Sequence, residues 1–162
     1  MSPHDEVFDP LTDYPIAERR PDLIRSATGK SLAAVTLEAV LASEITPEDL
    51  RITPETLHRQ ALVAEASGRP ALVPNFRRAA ELTRVPDTRL LEIYEALRPR
   101  RSTRDQLESI AIELEEKYDA PLTASLVREA AAAYERRGLV PETTAMSWRE
   151  VERLSSTRAP SR

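Results

Sequence analysis

Neighbouring carboxylates are the residues of this sequence that are best suited, by type and spacing, to acid–base chemistry. Glu48 adjoins Asp49, and Glu113 lies close to Glu115 and Glu116. A general acid or base needs a carboxyl group whose pKa is shifted, usually by burial. Both groups fall on polar faces or in first turns of predicted helices, where solvation or helix capping accounts for them. We therefore predict that neither group is catalytic.

Metal-ligating and nucleophilic side chains are scarce in this chain. It has no cysteine, and its two histidines are His4 and His58. His58 has no second histidine four residues further along, so no helical zinc motif is present. With only three glycines, the chain also lacks a glycine-rich loop for a phosphate group. The composition excludes disulfide scaffolds, thiolate zinc sites and cysteine nucleophiles, and it favours a structural role for His58.

Arginine forms the most prominent charged clusters. The chain has 23 basic residues, of which only Lys30 and Lys117 are lysine, and arginines cluster at 77–78, 98–104 and 136–137. Such clusters could contact DNA phosphates, pair with carboxylates of another subunit, or form a solvated basic face. The net charge of −4 and the lack of a recognisable helix-turn-helix disfavour DNA. A GC-rich coding bias would also account for the arginine excess.

The overall composition is that of a protein with a single core. The chain has 162 residues, of which 41% are hydrophobic and 31% are charged. That length suits one domain. No apolar run approaches the length of a membrane span, and the N-terminus has no signal-peptide core. We therefore expect a soluble, cytoplasmic protein.

Proline and glycine divide the chain into predicted helices. A short helix is expected within Pro15–Lys30, with Pro21 at its first position, and another around Leu37, Val40 and Leu41. Further helices are expected after Thr46-Pro47, after Thr53-Pro54, over Pro70–Thr83, after Pro86, after Ser102-Thr103-Arg104-Asp105 and over Pro121–Arg137. No alternating strand pattern is present. The sequence predicts an all-α fold.

The predicted architecture is a single compact domain of about six to eight short-to-medium helices. Residues 1–12 are expected to form an extended arm, residues 13–139 the helical domain, and residues 140–162 a polar tail. The tail has one weak amphipathic turn around Trp148 and Leu154. This turn could dock on a partner, although a flexible tail is the expectation.

Three helix boundaries are predicted from local signals. The helix after Thr53 should end near Gly68, which suits a left-handed terminating residue. Pro74 should either begin its helix or kink it. Ser102 and Asp105 resemble the two partners of a capping box.

Four long segments carry a recognisable family pattern, and they occur in order over residues 13–139. They are DYPIAERRPDLIRSATGKSLAAVTLEAVL, DLRITPETLHRQALVAEASGR, NFRRAAELTRVPDTRLLEIYEALRPRRST and LVREAAAAYERRGL. Their most specific motifs are DYP, TGK, RITPETL, NFRRAAEL and EIYEALRPRRS. Together these segments resemble the small subunit of adenosylcobalamin-dependent diol and glycerol dehydratases.

The resemblance implies a subunit of an enzyme rather than a self-sufficient enzyme. In that family a large subunit forms a (β/α)8 barrel that holds the substrate and a metal ion, and a medium subunit helps to bind the cobalamin. The helical small subunit packs outside the large one, and two heterotrimers associate. The complex is a hydro-lyase that converts 1,2-propanediol or glycerol into an aldehyde and water by a radical mechanism. We therefore expect no catalytic, cofactor-binding or metal-binding residue on this chain.

Planar donors and aromatic side chains within the matching motifs are the predicted contacts with the other subunits. They are Tyr14, Arg51, Asn75, Phe76, Arg78, Tyr94, Arg98 and Arg101. Phe76 and Tyr94 also lie on apolar stripes, so a place in the core is the alternative for these two.

The sequence leaves alternative locations and alternative functions open. Members of the family that are packaged in bacterial microcompartments can carry an additional amphipathic N-terminal helix, and the 12 residues before DYP do not form one. This favours the open cytoplasm, although another subunit could direct the assembly to a microcompartment. The alternative function is a stand-alone helical adaptor or regulatory protein derived from the subunit. A DNA-binding regulator is a more distant one, and neither nucleic acid nor membrane is an expected partner.

Overall fold

A computed structural model describes residues 8–141, and within that range it contains helices but no β-strand. The α-helices are α1 (Ile16–Arg19), α2 (Leu37–Leu41), α3 (Pro54–Ala66), α4 (Val73–Leu82), α5 (Asp87–Ala96), α6 (Arg104–Tyr118) and α7 (Pro121–Arg136). Shorter 3₁₀-helices cover Pro21–Leu23, Leu32–Ala34, Pro47–Leu50 and Pro70–Leu72. An isolated antiparallel bridge joins Arg25 and Ser31. The predicted all-α class is confirmed.

The structure subdivides the predicted domain into two compact units, and the first of these ends at Val85. In this first unit α3 packs against α4. Ala61 and Ala64 of α3 form a buried cluster with Val73 at the start of α4, and Phe76 covers the edge of that cluster. The small alanine side chains allow the two helices to approach closely.

The core of the second unit lies between α6 and α7, which Asp119 and Ala120 connect. Leu107 and Leu114 of α6 and Val127 of α7 have the largest fully buried side chains. Residues 107, 110, 111, 114 and 118 are all buried. Their spacing follows the turn of an α-helix, so the predicted apolar register of α6 is confirmed.

The boundaries of α3 follow the predicted signals. The Thr53 hydroxyl accepts a hydrogen bond from the Thr56 amide at 3.3 Å, and Pro54 is the first helical residue. The helix ends at Ala66, and Gly68 has a φ of +70°. A side chain in that left-handed conformation is strained, which explains the glycine at this position.

The structure determines the other two predicted helix boundaries. Pro74 is the second residue of α4, so the helix begins here and is not kinked. The capping box before α6 is formed by Thr103 and Gln106, with the Thr103 amide donating to Gln106 Oε1 at 2.8 Å. The predicted box of Ser102 and Asp105 is therefore wrong by one residue. Ser102 is itself buried, and the longer glutamine side chain reaches back to the amide.

The segment Pro15–Lys30 has the predicted short helix with Pro21 at its first position, but it also has a second helix that was not predicted. It contains α1 and the separate 3₁₀-helix Pro21–Leu23. Pro21 has no amide hydrogen and cannot continue the hydrogen bonding of α1, so α1 ends before it. Gly29, at a φ of +90°, then donates its amide to the Ser26 carbonyl in a tight turn.

The ends of the chain extend beyond the described residues. Within the predicted extended arm, residues 9–12 form a turn in which the Asp13 amide donates to the Asp9 carbonyl at 2.9 Å. Residues 1–7 and 142–162, including Trp148, lie outside the described range. None of the helices between residues 8 and 141 has the length and apolar character needed to cross a membrane.

Candidate subunit interface

The Asp49 carboxylate is the centre of a polar network in the first unit. Its side chain has no solvent-exposed surface. Oδ1 accepts hydrogen bonds from the hydroxyl groups of Ser26, at 3.2 Å, and Thr28. Oδ2 accepts a hydrogen bond from the Thr46 amide at 2.8 Å and lies 2.9 Å from the Lys30 ammonium. A buried charge is tolerated here because it is both paired and hydrogen-bonded.

These contacts hold the pKa of Asp49 well below its ordinary value. The hydrogen bond from Thr28 contributes most, followed by those from the Thr46 amide and from Lys30, while burial opposes them. The predicted role of Asp49 as a first-turn capping residue is confirmed by its capping box with Thr46. The contacts with Thr28 and Lys30 have no local sequence signal, since both residues lie about twenty positions away.

Lys30 connects two stretches of the first unit. Its ammonium donates hydrogen bonds to the Glu44 carbonyl and to the Asp49 carboxylate. Glu44 follows α2, whereas Asp49 lies in the 3₁₀-helix Pro47–Leu50. The lysine of the TGK motif therefore fixes the loop after α2 to that 3₁₀-helix.

Three apolar side chains of α2, which we call the α2 patch, are exposed. They are Leu37 at 69%, Val40 at 46% and Leu41 at 77%. Residues spaced by three and four positions lie on the same side of a helix. The spacing predicts the helix, but it cannot distinguish a face that packs on the chain's own core from one that meets a partner. The α2 patch was for this reason missed as a candidate contact surface.

A second exposed surface follows α5 in the second unit. Leu91 is 70% exposed and Tyr94 55%. One turn further, Arg98 Nη1 lies 2.9 Å from Glu95 Oε2, and Arg101 Nε lies 3.3 Å from Glu95 Oε1. The hydrogen bond from Arg98 lowers the pKa of Glu95. Tyrosine and arginine are enriched at protein interfaces, so three of the predicted contacts lie together on a surface of suitable chemistry.

The predicted polar contacts of the first unit are accessible but are not gathered into one cluster. Tyr14 and Arg51 are exposed, and Arg51 Nη1 lies 3.9 Å from Glu48 Oε2. Asn75 and Arg78 contact each other, because the Arg78 guanidinium donates to Asn75 Oδ1 at 2.5 Å. This hydrogen bond fixes the orientation of the Arg78 guanidinium group on α4.

The two predicted aromatic contacts have different environments. Phe76 is half-buried against Ala61, Ala64 and Val73, which corresponds to the alternative of a place in the core. Tyr94 is exposed, so its ring is available to a partner. The sequence pattern treated the two rings alike because both lie on apolar stripes.

The carboxylates near the middle of α6 are paired with arginines. Glu113 Oε2 lies 2.6 Å from Arg89 Nη2, which links α6 to α5. Glu115 Oε1 lies 2.6 Å from Arg128 Nη1, which links α6 to α7. The hydrogen bond from Arg128 lowers the pKa of Glu115, the opposite of what a general acid requires. These residues stabilise the second unit through ion pairs.

Neither a cluster of metal ligands nor an unpaired buried polar atom marks a candidate site among the described residues. No group of three or more acidic or histidine side chains within residues 8–141 could hold a metal ion. In the same range every buried side-chain nitrogen or oxygen has a hydrogen-bond partner. His58 is exposed on α3, and His4 lies outside this range. The surfaces of α2 and α5 are therefore the strongest functional candidates in this part of the chain.

Comparison with known proteins gives consistent relatives. A family model described as dehydratase small subunit matches residues 10–140. A propanediol dehydratase small subunit from Citrobacter freundii is 55% identical over 127 residues, which are 78% of this chain and 74% of the relative. A propanediol dehydratase small subunit from Salmonella typhimurium strain LT2 is 53% identical over 127 residues, which are 78% of this chain and 73% of the relative.

Proposed function

Because the chain belongs to the dehydratase small-subunit family, we propose that it is the non-catalytic small subunit of a propanediol or glycerol dehydratase. Its role would be to bind and brace the large catalytic subunit in a dimer of heterotrimers. The observation that carries this proposal is the identity of 55% to a propanediol dehydratase small subunit over 127 residues. The exposed leucines of α2, Tyr94 on α5, and Arg98 and Arg101 after α5 support a role in subunit association.

The reaction proposed for the complete enzyme removes water from a vicinal diol. 1,2-Propanediol would give propanal and water, and glycerol would give 3-hydroxypropanal and water. Adenosylcobalamin, when bound to the other subunits, supplies the radical that starts this chemistry. Each buried polar side-chain atom among residues 8–141 is already hydrogen-bonded within the chain, which supports a structural role for these residues. We propose that the contribution of the chain is to association and stability.

The proposed contacts with the other subunits are the members of the predicted set that are exposed or, in the case of Arg78, partly exposed. They are Tyr14, Arg51, Asn75, Arg78, Tyr94, Arg98 and Arg101. Phe76 packs against α3 and would instead stabilise the packing of α4 within the first unit. Arginine offers a planar set of donors that can bind a carboxylate of the partner through two hydrogen bonds.

Reconstitution tests this proposal. Large and medium subunits from the same genome are purified with and without this chain, and aldehyde formation from each diol is measured with adenosylcobalamin. We expect the chain to co-purify with the other subunits and to increase the amount of active enzyme. Full activity without the chain, together with no co-purification, would instead support the stand-alone adaptor.

A further inference from the structure

The helix α2 is short, and its apolar side chains have little packing within the first unit. It has five residues, and none of them is buried. Isolated helices far longer than this are only marginally stable in water, so short helices depend on tertiary packing. Among residues 31–52, all of which the structure describes, only Ile45 and Asp49 are buried. The first unit therefore supplies little packing for the leucines of α2.

Polar contacts nevertheless hold α2 in a defined position. The Thr36 hydroxyl caps the helix by accepting a hydrogen bond from the Ala39 amide at 3.2 Å. The Glu44 and Ile45 amides both donate to the Ala39 carbonyl, which closes the following loop onto the helix. Lys30 then ties the Glu44 carbonyl to buried Asp49. The α2 patch is thus preformed, which lowers the entropic cost of binding a partner.

The segment that carries the α2 patch has the exposed carboxylates of Glu38 and Glu44. Its other two acidic residues are paired, Asp49 with Lys30 and Glu48 with Arg51. Between Lys30 and Arg51 the chain has four acidic residues and no basic one. Glu38 lies within α2, Glu44 follows it, and both are exposed. A second copy of this chain, bound through the same patch about a two-fold axis, would bring these like charges together at an apolar contact, which is unfavourable.

We propose that the α2 patch is a docking surface for another dehydratase subunit, which presents an apolar surface bordered by arginine or lysine. The apolar centre would cover Leu37, Val40 and Leu41, and the basic border would match Glu38 and Glu44. This inference rests on the proposed function, since it takes the partner from the dehydratase complex. It adds a contact surface that lies outside the eight residues predicted from the sequence.

Substitution of the two leucines tests the apolar part of the surface. Leu37→Ser and Leu41→Ser are compared with Leu122→Ser, a control at a side chain of α7 that is 45% exposed. The wild-type or variant chain is immobilised, and its affinity for the co-expressed large and medium subunits is measured by surface plasmon resonance. We expect each α2 variant to bind about 10- to 100-fold more weakly, the loss for one buried leucine, and the control to bind like the wild type.

A melting curve tests whether a folding defect is the cause, and two further measurements test the charge and the location of the surface. Circular dichroism should show the same melting curve for each α2 variant and the wild type, because the substituted side chains are exposed. Glu44→Lys should slow association about tenfold at low salt, and the difference from the wild type should shrink at high salt. A photo-cross-linking residue at position 41 should cross-link to the large or the medium subunit.

The possible failures can be told apart. If the wild-type chain does not bind the other subunits, both the proposed function and this inference are overturned. If the wild type binds and the Leu37→Ser and Leu41→Ser variants bind equally well, only the inference is overturned. Cross-links from position 41 to a second copy of this chain, or to its own residues 142–162, would also overturn the inference.

Discussion

The Lys30 ammonium lies 2.9 Å from the Asp49 carboxylate, whose side chain is completely buried although the two residues are 19 positions apart. This ion pair gives the first unit a polar centre where its apolar packing is sparse. It also determines where α2 stands, because the same ammonium binds the Glu44 carbonyl. The shape of the proposed docking surface depends on this contact.

Replacement of Asp49 should destabilise the fold. Asp49→Asn removes the negative charge that pairs with Lys30 and exchanges one acceptor for a donor that faces other donors. We expect a lower melting temperature than that of the wild type. Asp105→Asn, at an exposed position in the first turn of α6, is the matched control and should melt close to the wild type. Equal melting temperatures for the two variants would show that the network is not stabilising.

The same carboxylate should shape the response to acid. Its pKa is lowered in the folded chain, so its stabilising effect is complete above the ordinary aspartate pKa and is lost as the pH falls below that value. The difference in unfolding free energy between the wild type and Asp49→Asn should be constant from pH 7 to about pH 5. It should then shrink as the pH is lowered from about 4 towards 2. Urea titrations across this range measure it, and a difference that grew on acidification would contradict the assignment.

The hydroxyl group of Tyr134 should stabilise the second unit. It donates a hydrogen bond of 2.6 Å to the Leu97 carbonyl, the residue that caps the end of α5. Tyr134→Phe should lower the free energy of unfolding by about 1 kcal/mol. Tyr94→Phe, which removes an exposed hydroxyl, should change it by less than about 0.5 kcal/mol. Chemical denaturation of both variants gives the comparison, and a neutral Tyr134→Phe would contradict it.

Gly68 should resist substitution because of its backbone conformation alone. A Cβ atom at this position would meet no other atom within 4 Å, but φ is +70°. Gly68→Ala should therefore cost about 1–2 kcal/mol of stability without any steric clash. Gly68→Asn should cost less, since asparagine tolerates left-handed geometry. Thermal unfolding of the two variants tests this order, and an equal loss would indicate a different cause.

The arginines predicted to meet the other subunits can be tested individually. Arg98→Ala and Arg78→Ala should each weaken association by about tenfold or more if their guanidinium groups are buried at the interface. Arg69→Ala, at an exposed position after α3, is the control. Co-purification with the large and medium subunits provides the measurement. Unchanged association for either variant would remove that arginine from the proposed interface.

The helices with strong local signals could be predicted from the sequence. Thr53 and Gly68 bound α3, and Pro121 and Gly138 lie at the ends of α7, because each signal acts within one turn of its helix. The start signal at Thr46 was also correct, but only a 3₁₀-helix forms there. The next cap, Thr53, follows too closely for a longer helix to develop.

The contacts that matter for the candidate interface could not be predicted from local pattern. The hydrogen bonds of Asp49 with Thr28 and Lys30 depend on the fold that brings distant residues together. The exposure of Leu37 and Leu41 depends on what the rest of the chain leaves uncovered. Helical periodicity identifies an apolar face, but it carries no information on whether that face belongs to the core or to a partner.

Because the leucines of α2 are exposed, the amount of this chain relative to its proposed partners affects unwanted association. A copy synthesised in excess of its proposed partners would leave these leucines exposed to water. Exposed leucines can associate with other apolar surfaces, including those of partly folded proteins. Balanced production of the subunits would limit such unwanted contacts. Excess chain, made without its proposed partners, would therefore be prone to unspecific association through the α2 patch.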